Sequence, residues 1–238
     1  MSAIQGAMAS RLATSTLQGF VQALNGWWWD GRTGIVITGS GVSSWTDRVR
    51  GGVVSQSTDA KRPTYSNGIL TFNGSQYLIG TPTGISGNDA MTCVSVAAPA
   101  TANAVVAQVG TTGAGRALLA LSPSSLPDLF VVKVATINEW QESAGTFSLA
   151  AYAWQFKFSD GTTASKPIYR NGVQVTGSRV ISSNVSGTTT GTSVALGARD
   201  DGVSPMTGTQ RAHVLIPSLL SVAQMQEAMW LCQSIYGV

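Results

Sequence analysis

The sequence is poor in charge. Only 11% of its 238 residues are Asp, Glu, Lys or Arg, less than half the share usual in globular domains. The 14 basic residues barely outnumber the 11 acidic ones and are scattered, densest at Arg48 with Arg50 and at Lys61 with Arg62. A nucleic-acid groove needs a continuous basic surface to neutralise phosphates, so no nucleic-acid partner is expected. Histidine occurs once, at His213, and cysteine twice, at Cys93 and Cys232. Without a Cys-x-x-Cys or further histidines there is no zinc set, and two thiols make no disulfide framework. Both cysteines lie in apolar runs and are expected to be buried free thiols. No run reaches the roughly 18 apolar residues of a membrane-spanning helix, so no membrane insertion is expected. The amino terminus has no basic start, its first charged side chain being Arg11. It also has no continuous apolar stretch, so no export signal is expected.

Glutamate is scarcer still, present only as Glu139, Glu142 and Glu227. Glycoside hydrolysis needs two carboxyl groups facing one cleft. Glu139 and Glu142 are three apart and would face opposite ways on a strand, and Glu227 lies in a helix-like run. His213 alternates with apolar residues, the setting of a packed core histidine, and no Gly-x-Ser-x-Gly elbow occurs. An enzyme is therefore not expected. Calcium needs several converging oxygens. The candidate loops are Asp200 and Asp201 with Gly202, Asp160 in S-D-G-T, and Asp89 beside Asn88, each also an ordinary turn composition. No cofactor is expected, with calcium the one ion these loops leave open.

What is abundant is Gly, at 27 residues, with Thr, Ser and Val, a composition of short strands joined by turns. Strand-like runs recur at 35–38, 43–48, 68–78, 91–97, 104–109, 117–121, 129–134, 147–158, 167–175, 193–199 and 212–216. Asn73-Gly74 and Asn171-Gly172 mark turns between strands. In 147–158, Trp154, Phe156 and Phe158 share one side and Gln155 and Lys157 the other. Near the end the period changes. Ser221 with Gln224 forms a capping box, Val222, Met225, Met229 and Cys232 form one stripe, and Gly237 suits the helix stop. Residues 2–24 carry Ile4, Met8 and Leu12 and then Leu17, Val21 and Leu24 at helical intervals. The expected organisation is an N-terminal helical or extended arm over 1–24 and one sandwich domain over 25–238.

One stretch is unusual: N-G-W-W-W-D-G. On a strand, Trp27 and Trp29 share one face and Trp28 takes the other, so both faces need cover. The arm, the terminal helix or a neighbouring subunit are the available covers. Asp30 and Asp47 are expected to brace turns or to pair with arginine, Arg48 and Arg62 being nearest in sequence. Sugar binding needs an exposed aromatic platform beside amides and carboxylates. Trp140 with Asn138, Glu139 and Gln141 is the candidate carbohydrate site.

The order W-W-W-D, S-S-W-T-D-R, Q-S-T-D-A-K-R-P-T-Y and N-G-I-L-T-F-N-G-S-Q-Y-L resembles the opening of the laminin-G-like, concanavalin A-like jelly-roll domains of phage and bacterial surface proteins. Y-R-N-G-V, A-L-G-A-R-D-D-G, A-H-V-L-I and S-I-Y-G-V resemble the closing strands and helix of that family. The likeness runs from Trp27 to the end. It implies an all-β fold, a two-sheet antiparallel sandwich with one C-terminal helix. It also implies a non-enzymatic phage virion structural protein, a fibre, baseplate or head-surface module displayed on the particle. The partners would be other virion proteins, copies of itself and host surface polysaccharide. Ile4, Met8, Leu12, Trp27, Trp28 and Trp29 are the candidate assembly residues. The alternative is a non-catalytic bacterial carbohydrate-binding or adhesion module.

Overall fold

The computed structural model describes residues 16–85, 90–100, 104–111, 148–156, 168–174 and 192–238 in full, and the strand backbone alone at 115–121, 127–133, 136–141 and 157. In chain order the strands are β1 (Trp27–Asp30), β2 (Ile35–Thr38), β3 (Gly41–Thr46), β4 (Val53–Ser55), β5 (Thr64–Ser66), β6 (Ile69–Asn73), β7 (Leu78–Gly80), β8 (Ala90–Pro99) and β9 (Val105–Thr111). There follow β10 (Gly115–Leu121), β11 (Pro127–Lys133), β12 (Thr136–Gln141), β13 (Ala150–Lys157), β14 (Ile168–Arg170), β15 (Val173–Gln174), β16 (Val194–Leu196) and β17 (Thr207–Ile216). Helix α1 (Leu17–Ala23) precedes them and helix α2 (Val222–Tyr236) closes the chain.

The strands form two antiparallel sheets, as an all-β sandwich requires. One has eight strands in the order β15-β14-β13-β8-β17-β6-β5, with β1 also paired to β17. The other has nine, in the order β12-β11-β10-β9-β16-β7-β4-β3-β2. Alternation along each strand divides the apolar residues into two layers. The first lies between the sheets and includes Trp27, Trp29, Trp45, Phe72, Leu78, Cys93, Trp154, Phe156, Leu196 and Leu215. The second lies on the far side of the eight-stranded sheet and joins Trp28, Val94, Val96, Val214 and Ile216 to helix residues Leu17, Val21, Met225, Met229 and Cys232. Both described helices thus pack on the same sheet.

Local chemistry explains the element ends. The Ser221 hydroxyl accepts from Gln224 N, the Gln224 side chain accepts from Ser221 N at 3.0 Å, and Gly237 ends α2 at φ +68°. The helical stripe starts one turn later than the sequence suggests. Met225, Met229 and Cys232 are buried but Val222 is 57% exposed, because it lies in the first turn, before the helix meets the sheet. Thr16 caps α1 through a 3.1 Å bond from Gly19 N. The expected arm is therefore, over 17–23, a helix of the domain's own second layer; Ile4, Met8 and Leu12 lie outside the described residues.

Asn171-Gly172, at φ +49° and +83°, turns the hairpin β14–β15. Asn67-Gly68, at φ +49° and +82°, turns β5–β6 in the same way. Both pairs suit the type I′ turn, which needs two positive φ values. Asn73-Gly74 does something else: β6 and β7 on either side of it belong to different sheets. Only Gly74 has positive φ, at +90°, and the Asn73 side chain accepts from Ser75 N at 3.1 Å, so the chain turns a corner between layers there. Trp154 and Phe156 face the inter-sheet core as expected, while Gln155 on the other side donates to the Leu220 carbonyl at 2.8 Å and ties down the approach to α2. Phe158 lies outside the described residues.

Candidate functional site

The tryptophan strand ends in a carboxylate that accepts five hydrogen bonds. Asp30 is fully buried. Its Oδ1 accepts from Arg32 N at 3.1 Å, Arg32 Nε at 2.9 Å and the Tyr236 hydroxyl at 2.9 Å. Its Oδ2 accepts from Arg32 Nη2 at 2.9 Å and Arg48 Nη1 at 2.7 Å. The Tyr236 hydroxyl in turn accepts from Trp28 Nε1 at 3.1 Å. Three guanidinium groups lie on rings: Arg32 is 5.1 Å from the Tyr236 centroid, Arg48 is 4.7 Å from that of Trp28, and Arg50 is 4.2 Å from that of Trp27.

Burial pushes the Asp30 carboxyl up, but the bonds from Arg32, Arg48 and Tyr236 together outweigh it and hold the group below its ordinary value. Burial, and then the Asp30 charge, drive the Tyr236 phenol well above its usual range. The same two causes push the Cys232 thiol up to about 12. Asp30, Tyr236 and Cys232 are thus each held in one protonation state near neutral pH, and the five bonds to Asp30 occupy its lone pairs. The cluster joins β1, the 47–52 turn and the last turn of α2; it is a structural bolt. Gly31 is part of it, since a Cβ there would run into the carbonyl oxygens of Gly68 and Arg211.

Asp47 braces its turn by accepting from Val49 N at 2.8 Å, Arg50 N at 2.9 Å and Gly52 N. Both aspartates thus play the expected roles, with Arg48 on Asp30. Arg62 goes elsewhere. It donates to the carbonyls of Gln56, Thr38 and Ser57 and to Asp59 at 2.7–2.9 Å, pinning the 56–62 loop over the end of β2.

The three tryptophans named as assembly residues are buried by the chain itself. Trp27 and Trp29 are 0% exposed between the sheets and Trp28 is 3% exposed under α1 and α2. They offer no surface to a neighbour, because the helix layer supplies the second cover that alternation demands.

His213 is buried, with Nδ1 2.8 Å from Ser95 Oγ, between the rings of Trp29 and Trp154 at 5.8 and 5.9 Å. It has no access to solvent. Cys93 and Cys232 are free and buried.

The outer face of the nine-stranded sheet differs in kind from the helix-covered face. On β2 to β4 it exposes Val36, Thr38, Val53 and Ser55, with Ser44 and Thr46 half-buried among them. One rim of this face is made by Tyr77, ahead of β7, and by two loops. Tyr77 N donates to Lys61 O at 3.1 Å, Lys61 Nζ sits 5.6 Å from the Tyr77 centroid, and Gly202 lies against the Tyr77 ring. Asp200 accepts from Gln108 Nε2 at 2.8 Å, whereas Asp201 pairs with Arg199 and accepts from Val203 N at 3.1 Å. The two adjacent carboxylates thus bond to Gln108 and to Arg199 respectively. Among the described residues no group of three His, Cys, Asp or Glu could hold a metal. Asp160, Asn88 and Asp89 lie outside the described residues.

The candidate sugar residues fall in β12, the edge strand of this same sheet. The backbones of Asn138, Glu139, Trp140 and Gln141 are in register with Val131, Phe130, Leu129 and Asp128 of β11; their side chains, and all of Glu142, lie outside the described residues. Tyr77 was not singled out in the sequence. The signal available was its place in Q-Y-L just ahead of a strand, with Gly202 far along the chain.

No protein-family model and no curated protein matches the chain. Solved structures do. A Trypanosoma rangeli sialidase in complex with a difluoro-KDN compound has a TM-score of 0.61 at 14% identity over 88% of this chain and 32% of its own. The same sialidase with sialic acid gives 0.58 at 15% over 88% and 33%. A GH54 arabinofuranosidase gives 0.54 at 13% over 80% and 50%. The chain thus spans about a third to a half of these structures' length, and at this identity the likeness is one of fold. It corrects one expectation. The chain shares its β-sandwich with structures of a sialidase and an arabinofuranosidase, which overturns the reading as a non-enzymatic phage virion structural protein.

Proposed function

We propose that this chain is a carbohydrate-binding β-sandwich module of laminin-G-like type that takes its ligand on the outer face of the nine-stranded sheet, without hydrolysing it. The observation behind this reading is the asymmetry of the sandwich. One sheet spends its outer face on two helices; the other presents hydroxyl-bearing and small apolar side chains beside the ring of Tyr77. Glycans are recognised by such a mixture, an aromatic ring for the apolar sugar face and hydroxyls or amides for its edge.

Five of the described acidic residues are engaged within the fold. Asp30 and Asp47 are buried in multiple bonds, Asp59 and Asp201 pair with arginine, and Asp200 accepts from Gln108. None is a carboxyl group left facing a second one across the open sheet. The sialidase and arabinofuranosidase likenesses make sialylated and arabinose-containing glycans the first ligands to try.

A glycan array with wild type and Tyr77→Ala tests the reading. Retained glycans should lose about tenfold in affinity in the variant, about 1.4 kcal/mol. Incubation with nitrophenyl sialoside and arabinofuranoside should release no nitrophenol. Release above a heat-denatured control would overturn the non-catalytic part, and an array with no retained glycan would overturn the whole.

A further inference from the structure

The core between the sheets is less apolar than its position demands. Across the inner side of the eight-stranded sheet, one row runs Tyr152, Ser95, His213 and Trp29, fixed by the pairings Tyr152 to Ser95, Ser95 to His213 and His213 to Trp29. The adjacent inner position on β17 is Gln210, opposite Ala97. Among the described residues, nine buried side-chain atoms have no hydrogen-bond partner; Trp27 Nε1, Gln108 Oε1, Arg199 Nε and Arg211 Nε are four of them, and the other five are Nε1 of Trp29 and of Trp154, Nε2 of His213 and both ends of the Gln210 amide. Native interiors pair nearly all such groups, and an unpaired one costs on the order of a full desolvation penalty.

The last five belong to residues grouped around His213. The rings of Trp29 and Trp154 both lie against the His213 ring, and Gln210 is its inner neighbour on the same strand. Gln210 is flanked by Leu70 of β6 on one side and by the small side chains of Ala97 in the next strand and Ala150 in the one beyond on the other, so the room beside the amide lies toward β8. The β-bulge between Gln210 and Ala212 turns Gln210 inward, since without it the alternation set by Ala212 would send Gln210 to the helix side. The polar group is thus placed in the core by a specific backbone irregularity.

We propose that the inter-sheet core contains a structural water site, formed by the amide of Gln210, His213 Nε2 and the indole N–H groups of Trp29 and Trp154. Water fits because the set mixes donors, the indoles and the amide N–H, with an acceptor, the amide oxygen, and a buried water makes about three hydrogen bonds. An anion does not fit. Burial pushes His213 down to about 3, so the ring is neutral at neutral pH and the set carries no positive charge. The His213–Ser95 contact leaves Nε2 in need of a partner in either tautomer. The site gives the sandwich a polar pin that fixes the register of β17 against β8. It is independent of the carbohydrate-binding reading.

Two measurements test it. In 15N-labelled wild type, water-to-protein ROE spectra should show cross-peaks from long-lived water to the buried indole N–H of Trp29 and Trp154. Second, Gln210→Met, close in volume and apolar, should lower Tm by about 3 °C or more, because it strips a partner from the bound water. A dry core makes the opposite prediction, since the variant then removes an unpaired amide and raises Tm. Indole signals without water cross-peaks, or a rise in Tm, would overturn the proposal; the spectra of wild type decide the matter even if the variant does not fold.

Discussion

Removal of a single oxygen from Tyr236 should loosen the whole helix layer. Its hydroxyl accepts from Trp28 Nε1 at 3.1 Å and donates to Asp30 Oδ1 at 2.9 Å. It is the link between β1 and the last turn of α2. Tyr236→Phe keeps the ring, the burial and the stack under Arg32. It deletes one bond to a charged acceptor, worth about 1.5–3 kcal/mol, and leaves a buried indole N–H unpaired, at about 1–3 kcal/mol. Asp30 keeps its bonds from Arg32 and Arg48, so the carboxylate is not stranded and the two costs partly overlap. The expected loss is about 3 kcal/mol, and for a domain of this size that lowers Tm by roughly 6–12 °C. Thermal and urea unfolding followed by circular dichroism measure it, and an unchanged urea m-value would show that the unfolded state is not the cause. A Trp28→Phe partner variant and the double variant complete a cycle whose coupling should exceed about 0.5 kcal/mol. A Tm within about 2 °C of wild type, or additive single variants, would refute the link.

Other consequences are as specific. His213 sits neutral in the core at about 3, below its ordinary value of 6.5. The unfolded chain therefore takes up a proton that the folded one refuses between those values. Stability present above pH 6.5 should fall as pH drops toward 3, by about 4–5 kcal/mol in all, and His213→Gln should flatten that slope in pH-dependent urea unfolding. Asp30 adds a loss at lower pH, because its depressed value gives stability that is complete above 3.8 and lost below it. Gly31→Ala should cost more than about 3 kcal/mol, since a Cβ has nowhere to go between two backbone carbonyls; soluble protein with a wild-type melting curve would show that the Gly31 approach is not tight.

The β texture, the turn at Asn171-Gly172, the caps of α2 and the arginine pairing of Asp30 were legible because each is set by residues close in sequence or by simple alternation. The corner at Asn73-Gly74 was not. A turn dipeptide announces a reversal, but whether the next strand joins the same sheet depends on partners such as β17 and β16, far along the chain. The cover of Trp28 was narrowed to three options and no further, because alternation demands a second face without saying what lies on it; Tyr236, at the other end of the chain, carries no local sign of bonding to Trp28. Arg62 was assigned by proximity to a carboxylate, whereas a guanidinium with five donors is better satisfied by a loop's carbonyls. Of the candidate ligand face, the sequence offered Trp140 and its neighbours and passed over Tyr77. An aromatic ring before a short strand reads as core until both described helices are known to lie on the other sheet.

The outer face of the nine-stranded sheet is the proposed ligand face, and a glycan titration monitored by amide chemical shifts in 1H–15N spectra tests that directly. With a glycan retained on the array, the shifting amides should cluster on β2, β3, β4 and β7 and around Tyr77 and Gly202, while those of α1 and α2 stay fixed. Shifts centred on the helix layer, or none at saturating glycan, would contradict it.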